Sequence, residues 1–184
     1  MALKKKKVTK KGAKKNIVLE TNKGSITIEL LYDLAPNHCK RILQLSKDGF
    51  FDDVVFHRVI DGFMAQTGDG QFGSLKNGLQ SDRVGMGGSD LSDLDAEFTS
   101  EPFVRGVVGM ARSQNPNSAN SQFFIMLEDS MHLNNQYTVW GKVLKGMDVV
   151  DKIKKGDQSD NGCLLYTSDA ADEGLGVDLG GRRI

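Results

Sequence analysis

Ile26, Ile28 and Leu30 take every second place between Ser25, Thr27 and Glu29, the period of a strand that buries one face. Ile17 to Glu20 reads as a strand before it, and Asn22-Lys23-Gly24 supplies the turn of a hairpin. The period then lengthens. Pro36 suits the first turn of a helix, Cys39, Ile42, Leu43 and Leu45 make one apolar helical face, and Gly49 is a fitting stop. Val54 to Val59, Phe63 to Thr67, Val107 to Ala111, Gln122 to Met126 and Thr138 to Val143 read as further strands, with shorter ones at Val84 to Met86 and Glu97-Phe98. Met147 to Lys155 reads as a second helix with Met147, Val150 and Ile153 turned inward, and residues 68–96 are rich in Gly, Ser and Asp. Many short strands with two helices predict a mainly β domain, a barrel or sandwich capped by helices.

Composition narrows the class. With 184 residues, 39% hydrophobic and 26% charged, the chain is of one-domain size and ordinary globular make-up. It holds no apolar run of transmembrane length, and its basic N-terminus lacks the apolar stretch of a secretory signal, so a cytoplasmic protein with no membrane partner is expected. Cys39 and Cys163 make no disulfide framework. The net charge of zero hides an asymmetry: eight lysines precede Asn16, and the stretch behind them is acidic overall. Residues 1–15 are expected to be a disordered, solubilising arm, and the acidic body does not suit nucleic acid, which only the lysine tail could touch.

The candidate chemistry lies in Phe50-Phe51-Asp52-Asp53-Val54-Val55-Phe56-His57-Arg58-Val59-Ile60-Asp61-Gly62, which runs into Phe63-Met64-Ala65-Gln66-Thr67-Gly68. One arginine, apolar side chains and an amide share a strand–turn–strand with no Ser, Cys or Lys nucleophile beside them. That set suits gripping an apolar residue and polarising an amide, and suits hydrolysis poorly. Alone, Arg58 would read as a surface ion pair to Asp52 or Asp53, and Phe63, Met64, Phe124 and Leu133 as core. Gln66 and Gln122 stand among apolar neighbours on strands and should each have a partner. His57 is expected on the face opposite Arg58, as a structural histidine. His38, His57 and His132 have no metal-ligand spacing, and the glycines near 68–70 and 85–88 read as turns, not phosphate loops.

A second segment adds Gly109-Met110-Ala111-Arg112, then Asn115-Pro116-Asn117-Ser118-Ala119-Asn120, Ser121-Gln122-Phe123-Phe124-Ile125, His132-Leu133 and Gln136-Tyr137-Thr138-Val139-Trp140-Gly141-Lys142-Val143. In this order and spacing, from Asn16 to about Asn161, the chain resembles the cyclophilins, peptidyl-prolyl cis-trans isomerases, most of all small single-domain bacterial ones. The resemblance implies an eight-stranded antiparallel barrel closed by two helices, and an enzyme that needs no cofactor, works as a monomer, assists protein folding and binds proline-containing peptides and unfolded proteins. It implies that Arg58, Phe63 and Gln66 are catalytic, and that Met64, Ala111, Arg112, Gln122, Phe124, His132, Leu133 and Tyr137 contact substrate.

An X–Pro bond turns over in tens to hundreds of seconds because its partial double bond must twist, against a barrier of roughly 20 kcal/mol. In this reading Arg58 stabilises the pyramidal prolyl nitrogen of the twisted state, Phe63, Met64, Phe124 and Leu133 line the proline pocket, and Gln66 positions Arg58 and substrate. Substrate backbone runs along Ala111 and Arg112, with Gln122 holding it. Three positions depart from the best-known eukaryotic pattern: His132 stands for the usual tryptophan, Tyr137 for histidine and Arg112 for asparagine. The tryptophan is a main contact for cyclosporin, so weak cyclosporin binding is expected. Two rivals remain: a proline-peptide binding module with little turnover, and a nucleic-acid-associated protein using the lysine tail.

Residues 163–184 have another character. Cys163 to Glu173 and Gly176 to Ile184 back-translate, in one frame, to strings that resemble a short-read sequencing adapter. They are read as a non-native tail that packs little apolar area, leaving 16–162 as the isomerase domain. On that reading the family's last strand is missing and the edge beside Ile17–Glu20 is open.

Overall fold

The computed structural model describes residues 15–164 and 176–178. Strands β1 (Asn16–Thr21) and β2 (Gly24–Leu30) form the expected hairpin, paired from Asn16–Glu29 to Thr21–Gly24. Helix α1 (Pro36–Lys47) follows, then β3 (Val54–Val55), β4 (Arg58–Ile60), β5 (Met64–Thr67), β6 (Val107–Met110), β7 (Phe123–Met126), β8 (Val139–Lys145), helix α2 (Met147–Asp151) and β9 (Gly176–Asp178). All pairings are antiparallel, and the sheet order is β3-β9-β1-β2-β8-β6-β7-β5-β4. Its two ends, β3 and β4, are neighbours in the chain with only Phe56 and His57 between them, so the sheet curls back on itself.

The pleat feeds two cores. Along β7, Phe123 and Ile125 enter the larger cluster, inside the curl, and Phe124 and Met126 enter a smaller one on the opposite face. Both helices serve the larger cluster, α1 through Cys39, Ile42 and Leu45, and α2 through Val149 and Val150. Trp140, fully buried, meets Phe123 edge-on at 5.3 Å between ring centres.

Several elements depart from expectation. The stretch Val54 to Val59 is broken at Phe56-His57, because β3 pairs with β9 while β4 turns to pair with β5. Val84 to Met86 and Glu97-Phe98 are not strands. The first winds round the buried carboxylate of Asp69, which takes the N–H groups of Gly85 and Gly87. The second is held by Thr138, whose hydroxyl accepts from the Glu97 N–H, and by the Glu97 side chain at the start of α1.

The edge beside β1 is not open. β9 pairs with Glu20 and Thr21 of β1 and with both residues of β3. Nor is all of the adapter-like stretch unpacked: Leu164 is 9% exposed within the larger core, its N–H bonded to the His57 carbonyl at 2.9 Å, and Cys163 bridges to Arg58. The lysine arm before Lys15, and the tail from 165 to 175 and from 179 onward, lie outside the described residues.

Candidate active site

Arg58 and Gln66 face each other because β4 and β5 form a tight hairpin in which Arg58 pairs with Gln66 and Ile60 with Met64. On the other side of β5, Gln66 pairs with Phe124 of β7. Register alone therefore collects the arginine, the amide and an apolar floor.

The guanidinium is gripped on two sides. Arg58 Nε donates to the Asn161 carbonyl at 3.0 Å and Nη2 to Asn161 Oδ1 at 2.8 Å. Nη1 donates to Gln66 Oε1 at 3.4 Å. These acceptors are neutral, and the ion pair to Asp52 or Asp53 that the sequence allowed is not what holds this side chain. Three of five N–H groups are used, which leaves one on Nη1 and one on Nη2. Asn161 reaches both its acceptors round by adopting a left-handed backbone, φ 54°.

A chain of amides continues inward. Gln66 Nε2 donates to Gln122 Oε1 at 3.0 Å, and Gln122 Nε2 donates to the carbonyls of Gly85 and Gly87 at 2.9 and 2.8 Å. Both N–H groups of the Gln122 amide are thereby engaged inside the protein.

The apolar floor is the smaller core. Met64, Phe124 and Leu133 are 2%, 5% and 8% exposed, with Phe63, Ala111 and Tyr137 packed against them. Phe103 and Phe124 stack at 5.8 Å over Gly109, where a Cβ would come within 2.6 Å of both rings, so only glycine leaves room for the pair. Phe63 stacks with exposed His132 at 5.8 Å, and Tyr137 meets Phe124 edge-on at 5.6 Å. Arg112 lies over the Tyr137 ring at 4.5 Å and donates to the carbonyls of Gln136 and Ser113. Beside the floor a groove of about 460 Å³ is lined by Gln66, Gln122, Ala111, Arg112 and exposed Met86.

All eleven residues singled out in the sequence thus lie in one connected patch. Reasoning from sequence missed Asn161, Asp69 and Phe103. Asn161-Gly162 carries a turn signal, but nothing in it points 103 residues back to Arg58. His57 is on the inner side, 4% exposed, and burial lowers its pKa to about 4, with Asp69 opposing and Arg58 adding to the shift. It is neutral at neutral pH, and its ring packs behind the groove rather than away from it, against Gly85, where an added Cβ would come within 3.3 Å of Cδ2, and beside Gln122. The buried Cys39 thiol is pushed up to about 12 by burial, which removes it as a nucleophile. Among the described residues, no group of three or more His, Cys, Asp or Glu could hold a metal ion.

Known proteins resemble the chain in sequence and in fold. A family model described as cyclophilin type peptidyl-prolyl cis-trans isomerase/CLD matches residues 16–168. A probable peptidyl-prolyl cis-trans isomerase of Brucella suis is 59% identical over 148 residues, 80% of this chain and 76% of the relative. Peptidyl-prolyl cis-trans isomerase-like 3 of Gallus gallus is 39% identical, over 76% of this chain and 81% of the relative. A cyclophilin type isomerase of Cryptosporidium parvum, crystallised in the presence of the dipeptide Ala-Pro, superposes with a TM-score of 0.71 at 27% identity, covering 89% of this chain and 96% of that one. The cyclophilin AquaCyp293 of Hirschia baltica gives 0.64 at 29% identity, over 76% and 67%.

Proposed function

This chain belongs to the cyclophilin-type peptidyl-prolyl cis-trans isomerases, and on that premise we propose that it turns X–Pro bonds against the floor of Met64, Phe124 and Leu133, with Arg58 as the catalytic group. The observation that carries the assignment is the guanidinium held by the neutral acceptors of Asn161 and Gln66, with one N–H on each terminal nitrogen left over. A fixed cation stabilises the lone pair that appears on the prolyl nitrogen as the bond twists and its resonance is lost. Preorganised donors of this kind act at no reorganisation cost at the moment of reaction.

The proline ring sits on the apolar floor, edged by Phe63 and His132. Substrate backbone runs beside Ala111 and Arg112, where β6 ends. Gln122 spends its amide inside the protein, so its share is to orient Gln66 rather than to grip substrate directly. The reaction makes and breaks no covalent bond, so it needs neither nucleophile nor cofactor. The substrates are proline-containing segments of unfolded proteins, and the setting is the cytoplasm. Among the described residues, no helix is long and apolar enough to cross a membrane. Large exposed apolar residues are scattered at Met86, Leu91, Phe98, Met131 and Leu144, which suits a monomer.

The test is Arg58→Ala in an isomerisation assay on a short proline peptide. The fold should survive and kcat/KM should fall by about a hundredfold, as when a preorganised donor is removed. Arg58→Lys should recover little, because an ammonium lacks the planar fork. A folded Arg58→Ala protein with near-normal kcat/KM would refute the mechanism.

A further inference from the structure

Asp69 is 0% exposed and lies in a loop that takes no part in the apolar floor. Its Oδ1 accepts the N–H groups of Gln71 and Phe72 at 3.1 and 2.9 Å, and its Oδ2 those of Gly85 and Gly87 at 2.7 and 3.0 Å. Four backbone donors on one buried carboxylate far exceed what a turn needs. A Cβ on Gly87 would collide with Asp69 Oδ1 and lie 2.8 Å from the Phe72 ring, so the loop is seated hard on the carboxylate.

The 85–87 loop has two sides. Its N–H groups point to Asp69 and its carbonyls, Gly85 O and Gly87 O, point to Gln122 Nε2. Two carbonyls can be met only by the NH₂ end of an amide, so Gln122 cannot flip. Its Oε1 must then face Gln66, whose NH₂ end turns to meet it, which leaves Gln66 Oε1 for Arg58 Nη1. The sense of each amide is dictated by the one before.

We propose that Asp69 is a positioning residue for catalysis: through the 85–87 loop, Gln122 and Gln66 it sets the orientation of the Arg58 guanidinium. Asp69 touches no substrate. Met86, between the two glycines, is 78% exposed on the rim of the groove, so a peptide pressing on that rim acts on the same relay. The inference rests on the assignment of Arg58 above.

The experiment uses Asp69→Asn, Gln122→Met and the double variant in the full chain, with kcat and KM from exchange spectroscopy on a proline peptide and the ¹⁵Nε resonance of Arg58 in each. An asparagine at 69 turns one acceptor into a donor facing N–H groups, so the loop loosens. Asp69→Asn should lower kcat by about tenfold with KM within about twofold, since misplacement of a catalytic group is costly and the proline floor is intact. In the Gln122→Met background it should lower kcat no further. The Arg58 ¹⁵Nε resonance should move in both single variants. Independent, multiplying losses in the double variant, or an unmoved Arg58 resonance in a folded Asp69→Asn protein, would overturn the relay. If Asp69→Asn does not fold, Gly87→Ala, whose Cβ crowds Asp69 Oδ1, takes its place: it should move the Arg58 resonance and lower kcat, and an unmoved resonance overturns the relay. The resonance reports the relay whatever the outcome for Arg58→Ala, so failure of the relay and failure of the catalytic assignment are read separately.

Discussion

At the scale of single residues, the departures from the family pattern lie at the rim of the apolar floor. His132 is exposed and stacked on Phe63 at 5.8 Å with the rings 26° apart. A tryptophan there would add a larger apolar face and an indole N–H donor. Losing such a contact costs about 2 kcal/mol or more at a binding hot spot, which is at least roughly tenfold in affinity. Cyclosporin should therefore inhibit this protein weakly, and His132→Trp should tighten inhibition at least tenfold while turnover of short peptides changes less. Equal affinity for both forms, measured by inhibition titration, would remove position 132 from the drug contact. Arg58 and Gln66 were legible as members of one strand–turn–strand, and their partnership as what the family resemblance implies, but their register was not. A two-residue turn at Asp61-Gly62 would set Arg58 opposite Ala65, and the three-residue connection 61–63 sets it opposite Gln66. Asn161 could not, because the contact depends on closure of the whole sheet.

Elements were legible where one side of them alone decides their form. Ile26, Ile28 and Leu30 alternate, and β2 forms; Ile42 and Leu45 lie on one helical face, and α1 forms. Val84 to Met86 and Glu97-Phe98 have strand-like residues but are governed by acceptors far away in sequence, Asp69 and Thr138. Helix α1 shows the same dependence. Its N-cap, Ala35, offers no side-chain acceptor, and Glu97 takes the N–H groups of Asn37 and His38 at 3.1 Å and His38 Nδ1 at 2.7 Å. Removing a cap costs about 1 kcal/mol and orphaning a buried donor about 1–3 more. Glu97→Ala should then cost about 2–4 kcal/mol in urea unfolding, and Glu97→Gln clearly less, since it keeps an acceptor. Equal loss in both would mean that charge on the helix, not capping, holds this end.

For the molecule as a whole, buried histidines set an acid limit. Burial holds His57 near pKa 4 in the folded chain, against about 6.5 when unfolded, and burial also lowers His38 despite its bond to Glu97. Between those values the unfolded chain binds the proton and the folded chain does not, so stability is full above about pH 6.5 and falls as pH drops towards 4. His57 alone accounts for about 3 kcal/mol of that loss. For Glu97, burial raises the pKa, but bonds from His38 and Asn37 outweigh it and lower it, so it too favours the folded state less in acid. Urea unfolding of wild type and His57→Phe at pH 7.5, 5.5 and 4.5 should show a markedly shallower decline in the variant. Parallel declines would place the acid limit elsewhere.

The seam of the curled sheet also fixes a moment in the life of the chain. Val59 bonds to Gly162, Leu164 to His57, and Arg58 to Asn161, 103 residues further on. At roughly 5–20 residues per second of synthesis, Arg58 leaves the peptidyl-transfer centre about five to twenty seconds before the asparagine that aims it exists. A growing chain can build the β1–β2 hairpin and the β4–β5 hairpin in that interval, but not the cradle of its own guanidinium. On the role proposed for Arg58, the nascent protein stays mute as a catalyst until the turn around Asn161 is made, so its own prolines, Pro36, Pro102 and Pro116, emerge before it could act on them.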